Sequence, residues 1–274
     1  MRPAPFEHVR LAGEDLTQGS TALEQGERLG AYHLGLAAAV DRARLVVVRR
    51  PRVTILATGD ELRAPGSPAR PASIPESNSV VLAALARGAG ATARVHEPAG
   101  DDLEETRGRI ARALEDSDLL VTIAGVSVGE HDVVRPALEA SGVRLEFHKV
   151  AIKPGKPLTL GRRGDTVVLG VPGNPVSAQV TFALFGVPLL RRMQGDARAV
   201  PPPRRVRLAA RLRQSGGRRG FYASVVQGDL ATPLATSSGS TVSLARANAL
   251  LIVPEDCAGY EAGEEAWALM LVDL

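Results

Sequence analysis

The chain has 274 residues, 45% of them hydrophobic, and a mean hydropathy of +0.01. That balance suits about two globular domains, and no apolar stretch runs uninterrupted for the ~20 residues a membrane helix needs. Net charge is +3 and aromatics are 3%, although the sequence pI is about 9.4. Scattered charge and few stacking platforms argue against nucleic acid as a partner.

Met1-Arg2-Pro3-Ala4-Pro5 lacks the apolar core of a signal peptide. Cys257 is the single cysteine, which excludes disulfides within the chain and a cysteine metal site, and points to a cytoplasmic home. In chain order, residues 1–50 begin with a predicted strand over 6–11. A polar turn at Gly13-Glu14-Asp15 and a short helix near 27–40 follow. Residues 42–52 are locally basic and read as a solvated edge entering the first strand of the next region.

Residues 51–195 alternate apolar runs with amphipathic stretches. Strands are expected over 52–57, 91–96, 118–123 and 166–170. Helices are expected near 79–88, 103–114, 133–140 and 175–193. That alternation predicts βαβ units in a mostly parallel sheet. Ala199-Val200-Pro201-Pro202-Pro203 forms a stiff linker, and residues 204–274, with short strands and Gly-rich turns, read as a small all-β domain.

Ligands of open α/β sheets bind outside the carboxyl ends of the strands, and the polar motifs fall there. These ends carry Thr58-Gly59-Asp60-Glu61-Leu62, Pro98-Ala99-Gly100-Asp101-Asp102, residues 124–132 and residues 170–177. Gly173-Asn174-Pro175 reads as a helix start, with Asn174 as N-cap and Pro175 in the first turn; free N–H groups there favour an anion, though plain capping explains it equally. Residues 125–129 could wrap amides around a phosphate or serve a tight turn.

Of 33 basic residues only Lys149, Lys153 and Lys156 are lysine, and they are consecutive in the basic series. A compact ammonium suits phosphate or another oxyanion, so residues 149–157 are read as an anion-binding hairpin. Asp60, Glu61, Asp101, Asp102 and Asp132 would repel such an anion unless a cation lies between or they bind a polar pterin-like ring, and Mg²⁺ is the economical choice. Glu61 and Asp132 are the preferred ligands. Asp101, Asp102 and Asp132 also precede predicted helices, where capping is the simpler role. The five histidines show no metal-ligand spacing. Gly125-Val126-Ser127-Val128-Gly129 matches the letters of a hydrolase elbow without the downstream Asp-then-His order.

Through residues 9–15, 52–62 (RVTILATGDEL), Ser77-Asn78-Ser79, 125–132 (GVSVGEHD), 149–157 (KVAIKPGKP), 172–178 (PGNPVSA) and 243–248, the chain resembles the molybdopterin molybdenumtransferases, the MoeA and gephyrin E-domain family. Order and spacing agree over nearly the whole chain. The resemblance implies a three-layer, mostly parallel α/β cofactor-binding domain (51–195) followed by a small β-barrel domain (204–274). Residues 1–50 would be a remnant of the family's N-terminal domain.

It also implies insertion of molybdate into adenylylated molybdopterin with release of AMP, using a divalent cation such as Mg²⁺, in a cytoplasmic homodimer with the site between subunits. Asp15, Glu61, Asp102 and Asp132 would be the acidic catalytic residues. Lys153, Lys156, Pro157 and Ser177 would bind molybdate, with Ser238 approaching from the β domain. Gly125, Ser127, Gly129, Gly173 and Asn174 would form the phosphate and pterin loops.

The chain departs from the family in three places. An N-terminal portion with an Asp-Gly-Tyr-Ala-type motif has no counterpart, Ala124 stands where a glycine is usual, and Ala223 stands where an arginine is expected to clamp molybdate. Arg218 and Arg219 are the nearby substitutes. A catalytically weak carrier or storage homologue is therefore the alternative to the enzyme. A sister adenylyltransferase is disfavoured, because the loop reads Gly-Val-Ser rather than Gly-Thr-Gly.

Overall fold

The computed structural model describes residues 8–125, 133–235 and 241–273. Its first sheet is laid down by β1 (Arg52–Ala57), β4 (Thr92–Val95), β5 (Leu119–Ile123), β6 (Arg144–Lys149), β8 (Pro157–Arg163) and β9 (Thr166–Val171). Two-residue strands lie between them, β2 (Leu62–Arg63), β3 (Ile74–Pro75) and β7 (Ile152–Lys153). The order is β4-β1-β5-β9-β8-β6. The first four are mutually parallel, whereas β8 runs antiparallel to β9 and β6 antiparallel to β8.

The central strands are apolar on both faces because both faces are covered. Val53, Ile55 and Ala57 of β1 pack with Leu119, Val121, Ile123, Leu169 and Val171 against helix α2 (Asn78–Gly88) and the helical segment that begins at α5 (Pro175–Thr181). The intervening residues Leu56, Leu120 and Val168 face the opposite way, onto α3 (Leu103–Asp116) and α4 (Val134–Ala140). The two-residue period of a strand thus sorts one apolar run into two cores. These are the three layers the sequence predicts.

Helix α5 continues through a π-helical stretch, Phe182–Gly186, into α6 (Val187–Met193). Gly186 is required there, since the Phe182 ring lies where its Cβ would project. The antiparallel β6–β8 pair was legible only as a hairpin turn, not as two strands. β6 reads RLEFHK and is exposed along most of its length, which is how edge strands avoid further pairing, so it carries no apolar period.

In the second sheet, β10 (Arg204–Leu208), β12 (Arg219–Gln227), β13 (Leu230–Pro233), β14 (Ala249–Val253) and β16 (Glu265–Met270) close into a five-stranded barrel. The pairing of β13 with both β10 and β12 completes the ring. Val206, Leu208, Val226, Leu251 and Val253 fill its interior. Strand β7 leaves the first region and joins the barrel, pairing parallel to β12 with Lys153 opposite Gly220. Val176 and Val180 of α5 pack on Leu250 and Phe221 beside this junction.

One expectation fails. Residues 8–11 form no strand; His8 sits at φ 66°, and the Leu11 N–H donates to the Glu14 carboxylate at 2.9 Å in a local turn. The apolar alternation of Val9 and Leu11 has no sheet to face, and both are exposed. Helix α1 is confined to Ala31–Ala39.

Candidate functional site

Every motif in the described residues that follows a parallel strand lies at one edge of the first sheet, and topology adds the lysine hairpin to it. Because β8 is antiparallel to β9, its first residue, Pro157, starts where β9 ends. Lys149 closes β6 at the same level, opposite Pro157. Across the edge stand, in order, the loop after β4, the loop after β1, the turn after β5, the turn after β9 and the hairpin.

The hairpin is held at both ends. The Val150 N–H donates to the Lys156 carbonyl at 3.0 Å. Gly155 is buried at φ 101°, and a Cβ there would collide with the Thr181 methyl of α5. Only glycine lets the lysine loop rest on that helix. Lys149 and Lys156 are exposed, while Lys153 is half-buried and its Nζ donates to Ser215 Oγ at 3.3 Å.

The start of α5 lies beside this loop. Asn174 has extended geometry and Pro175 opens the helix, as expected for a cap, yet the Asn174 side chain makes no capping hydrogen bond. The Ala178 N–H closes the first turn onto the Asn174 carbonyl. Asn174 and Gly173 are exposed, whereas Ser177 is buried and its carbonyl accepts from Thr181 Oγ1 at 2.7 Å. The Gly173 carbonyl is clamped by Asn78 Nδ2 at 2.8 Å, a positioning contact not foreseen from the sequence, where Asn78 stood out only within the Ser77-Asn78-Ser79 motif. Asn78 Oδ1 is buried without a partner among the described residues.

Next to it, Ala124 and Gly125 follow β5, both with positive φ (69° and 64°). The Ala124 Cβ lies 3.1 Å from where a Cβ on Gly173 would stand. Ala124 occupies a left-handed conformation that costs an L-residue roughly 1–2 kcal/mol. Ser127, Gly129, Asp132 and Ser238 lie outside the described residues.

At the far side, Thr58 bridges to Ala99, and the Gly59 N–H donates to the Ala99 carbonyl. Asp60 Oδ1 accepts from the Asp101 N–H at 3.1 Å, tying the two acidic loops together. Asp102 is the N-cap of α3, accepting from the Glu105 N–H at 2.7 Å, so the capping role expected for some of the acids is realised here. Glu61 is exposed beside Asp60. Among the described residues no three metal-binding side chains converge. Asp15 is not drawn to this edge by a described contact; its ion-pair partner is Arg10 at 3.8 Å.

From the barrel, Arg218 Nη1 donates to the Ile152 carbonyl at 3.3 Å, one residue from Lys153. Arg219 is committed to Glu255 at 3.1 Å. Ala223 is buried opposite Leu250. Of the two arginines near the expected clamp, only Arg218 turns its side chain onto the lysine loop.

The edge thus has an anion-friendly half and an acidic half. Glu61 follows β1 and Lys156 precedes β8, three strand spacings away, about 14 Å. A free oxyanion spans only one half. Only a ligand about that long could touch both.

Comparison with known proteins bears on the fold and the family. Residues 54–192 match a family model described as a probable molybdopterin binding domain, and residues 205–271 match the MoeA C-terminal region, domain IV. The chain is 40% identical over 271 residues to molybdopterin molybdenumtransferase 2 of Mycobacterium tuberculosis, covering 95% of this chain and 66% of that protein. It is 33% identical to the molybdopterin molybdenumtransferase of Haemophilus influenzae, covering 96% and 66%. The crystal structure of a molybdopterin biosynthesis MoeA protein from Pyrococcus horikosii superposes with a TM-score of 0.84 at 30% identity, over 94% of this chain and 64% of that one. The chain spans just under two thirds of the length of these relatives. With a probable molybdopterin binding domain followed in order by a MoeA C-terminal region, the chain belongs to the MoeA-type molybdopterin-binding family.

Proposed function

We propose that the protein inserts molybdate into adenylylated molybdopterin and releases AMP, as one step of molybdenum cofactor biosynthesis. The observation that carries this reading is the lysine hairpin, seated on α5 through Gly155 and facing the acidic loops along one sheet edge. Molybdate is a tetrahedral dianion. Lys153, Lys156 and Arg218 would replace part of its hydration, together with the unpaired N–H groups of the first turn of α5. Pro157 and Ser177 would shape the pocket floor, and Ser238 would approach from the barrel.

The turns at Gly125-to-Gly129 and Gly173-Asn174 would receive the phosphate and pterin parts, with Ser127 as a hydroxyl donor. Asp15, Glu61, Asp102 and Asp132 would act at the adenylate end. Asp102 would act there through the loop geometry its cap enforces. Hard carboxylate oxygens on adjacent loops suit Mg²⁺, and Glu61 with Asp132 would hold it, where it would offset phosphate charge.

This chain's own contribution is orientation and charge stabilisation, with no covalent nucleophile. Two Mo–S bonds would replace two Mo–O bonds, the two oxygens leaving as two waters with the two thiol protons and two more from solvent, and water would enter the phosphoanhydride as AMP leaves. Residues 51–195 and 204–274 would be the two working domains, following residues 1–50, in a cytoplasmic homodimer. No described helix is long and apolar enough to cross a membrane.

The test is AMP release from adenylylated molybdopterin with Mg²⁺, with and without molybdate. Molybdate-dependent release is expected. Tight binding of the nucleotide without release would overturn the enzyme and leave a carrier, the reading that the buried Ala223 would then favour.

A further inference from the structure

The turn joining β11 (Leu212–Arg213) to β12 belongs to the barrel, yet it is fastened to the lysine hairpin. The Arg219 N–H donates to the Ala151 carbonyl at 3.0 Å. Arg218 reaches the Ile152 carbonyl, and Ser215 Oγ accepts from Lys153 Nζ at 3.3 Å. An ammonium has three N–H donors. With one of them on Ser215 Oγ, the other two and the Ser215 hydroxyl proton remain to be shared with an anion. The serine is exposed, so a ligand can reach it.

Behind this turn stands one side chain with both amide donors and its amide oxygen engaged. Gln214 Nε2 donates to the Pro254 carbonyl at 2.8 Å and the Cys257 carbonyl at 2.9 Å. Its Oε1 accepts from the Tyr222 hydroxyl at 3.2 Å. Burial pushes the Tyr222 phenol up, which keeps it a neutral donor. The Gln214 N–H donates to the Ala258 carbonyl at 3.0 Å, and the Gly217 N–H donates to the Glu255 carbonyl at 2.8 Å. Gly220 leaves room for this arrangement; a Cβ there would collide with Gln214 Oε1 and the Tyr222 ring. A glutamine amide with both donors and its acceptor engaged fixes its own backbone, and Ser215 is the next residue.

We propose that Ser215 is an oxyanion-binding residue acting as a donor pair with Lys153, and that Gln214 is its positioning residue. The barrel thereby helps set affinity for a tetrahedral oxyanion. The inference rests on the reading of the lysine hairpin given above and adds two barrel residues to it.

Titration calorimetry with sodium molybdate on the purified chain tests it. Ser215→Ala should weaken binding about tenfold, as for a hydrogen bond to a charged ligand, with an unchanged thermal midpoint. Ser215→Thr should retain affinity. Gln214→Leu should weaken binding by a similar factor, and that loss should vanish in the Ser215→Ala background, because both act through one hydroxyl. Fully additive losses would overturn the positioning role. Wild-type affinity in Ser215→Ala, where Lys153→Ala has lost it, would overturn the inference and leave the hairpin reading standing. Affinity unmoved by Lys153→Ala would overturn both.

Discussion

The two edges of the α/β sheet use charge in opposite ways. At the amino edge Asp118, just before β5, collects Arg49 at 2.6 and 2.7 Å and the Arg52 N–H at 2.7 Å, and Arg52 also pairs with it at 3.5 Å. These contacts, the Arg49 guanidinium foremost, hold the Asp118 carboxyl far below the ordinary carboxylate range. At the carboxyl edge Lys149, Lys153 and Lys156 make no ion pair with a described residue, and neither do Asp60, Glu61, Asp101 or Asp102. Charges satisfied within the chain hold the fold together. Charges left unmatched are available to a ligand.

The sharpest way to break this contrast is at the lysines. Lys153→Ala or Lys156→Ala should lower molybdate-dependent AMP release by about 10²-fold or more, the scale of losing one preorganised donor to a developing or bound oxyanion. Lys156→Ala should leave the thermal midpoint where it was, since the side chain is exposed. A large fall in midpoint with unaltered turnover would make the carboxyl edge structural.

Gly155→Ala should affect both fold and function. Positive φ and the Thr181 methyl oppose a Cβ, so chemical denaturation should show a loss of about 2 kcal/mol, and molybdate affinity should fall as the hairpin lifts from α5. Loss of stability with full affinity would detach the hairpin's position from its function.

Asp118→Asn should destabilise the protein at neutral pH and leave molybdate affinity alone. The folded carboxyl titrates below its unfolded value of about 4. Its stabilisation is therefore fully present above that value and is lost as pH falls through the folded pKa. The difference in stability between wild type and variant should shrink below about pH 4. A difference independent of pH between 7 and 2 would remove the charge from the account.

The smallest effect is at Ala124. Ala124→Gly should relieve the left-handed strain and raise stability by up to about 1 kcal/mol, less what glycine gains in the unfolded chain. Unchanged or lower stability would show that neighbouring packing already compensates.

The central strands were legible because burial on both faces leaves continuous runs such as VTILA and LLVTI, and β-branched residues within them exclude helices. The helices were legible from their apolar period and from caps such as Asp102. β6 escaped because an exposed edge strand carries charge instead of pattern, and β2, β3 and β7 because two residues have no period. At the site, lysine usage alone marked the hairpin. Ser215 carried no such mark, since a serine in a polar turn is ordinary in composition, and Asn78 was marked only as part of Ser77-Asn78-Ser79.

What the sequence by itself determined is the list of parts: buried strands, capped helices, glycines at tight turns and three lysines in one segment. These follow from local propensity and from the two-residue and 3.6-residue periods, which neighbours along the chain suffice to express. Only the tertiary structure decided which parts meet. The antiparallel return of β8 brings Lys156 to the edge where the parallel strands end. The parallel pairing of β7 with β12 sets Ser215 against Lys153, 62 positions apart in sequence. Such contacts depend on sheet order and register, and no local signal encodes either one.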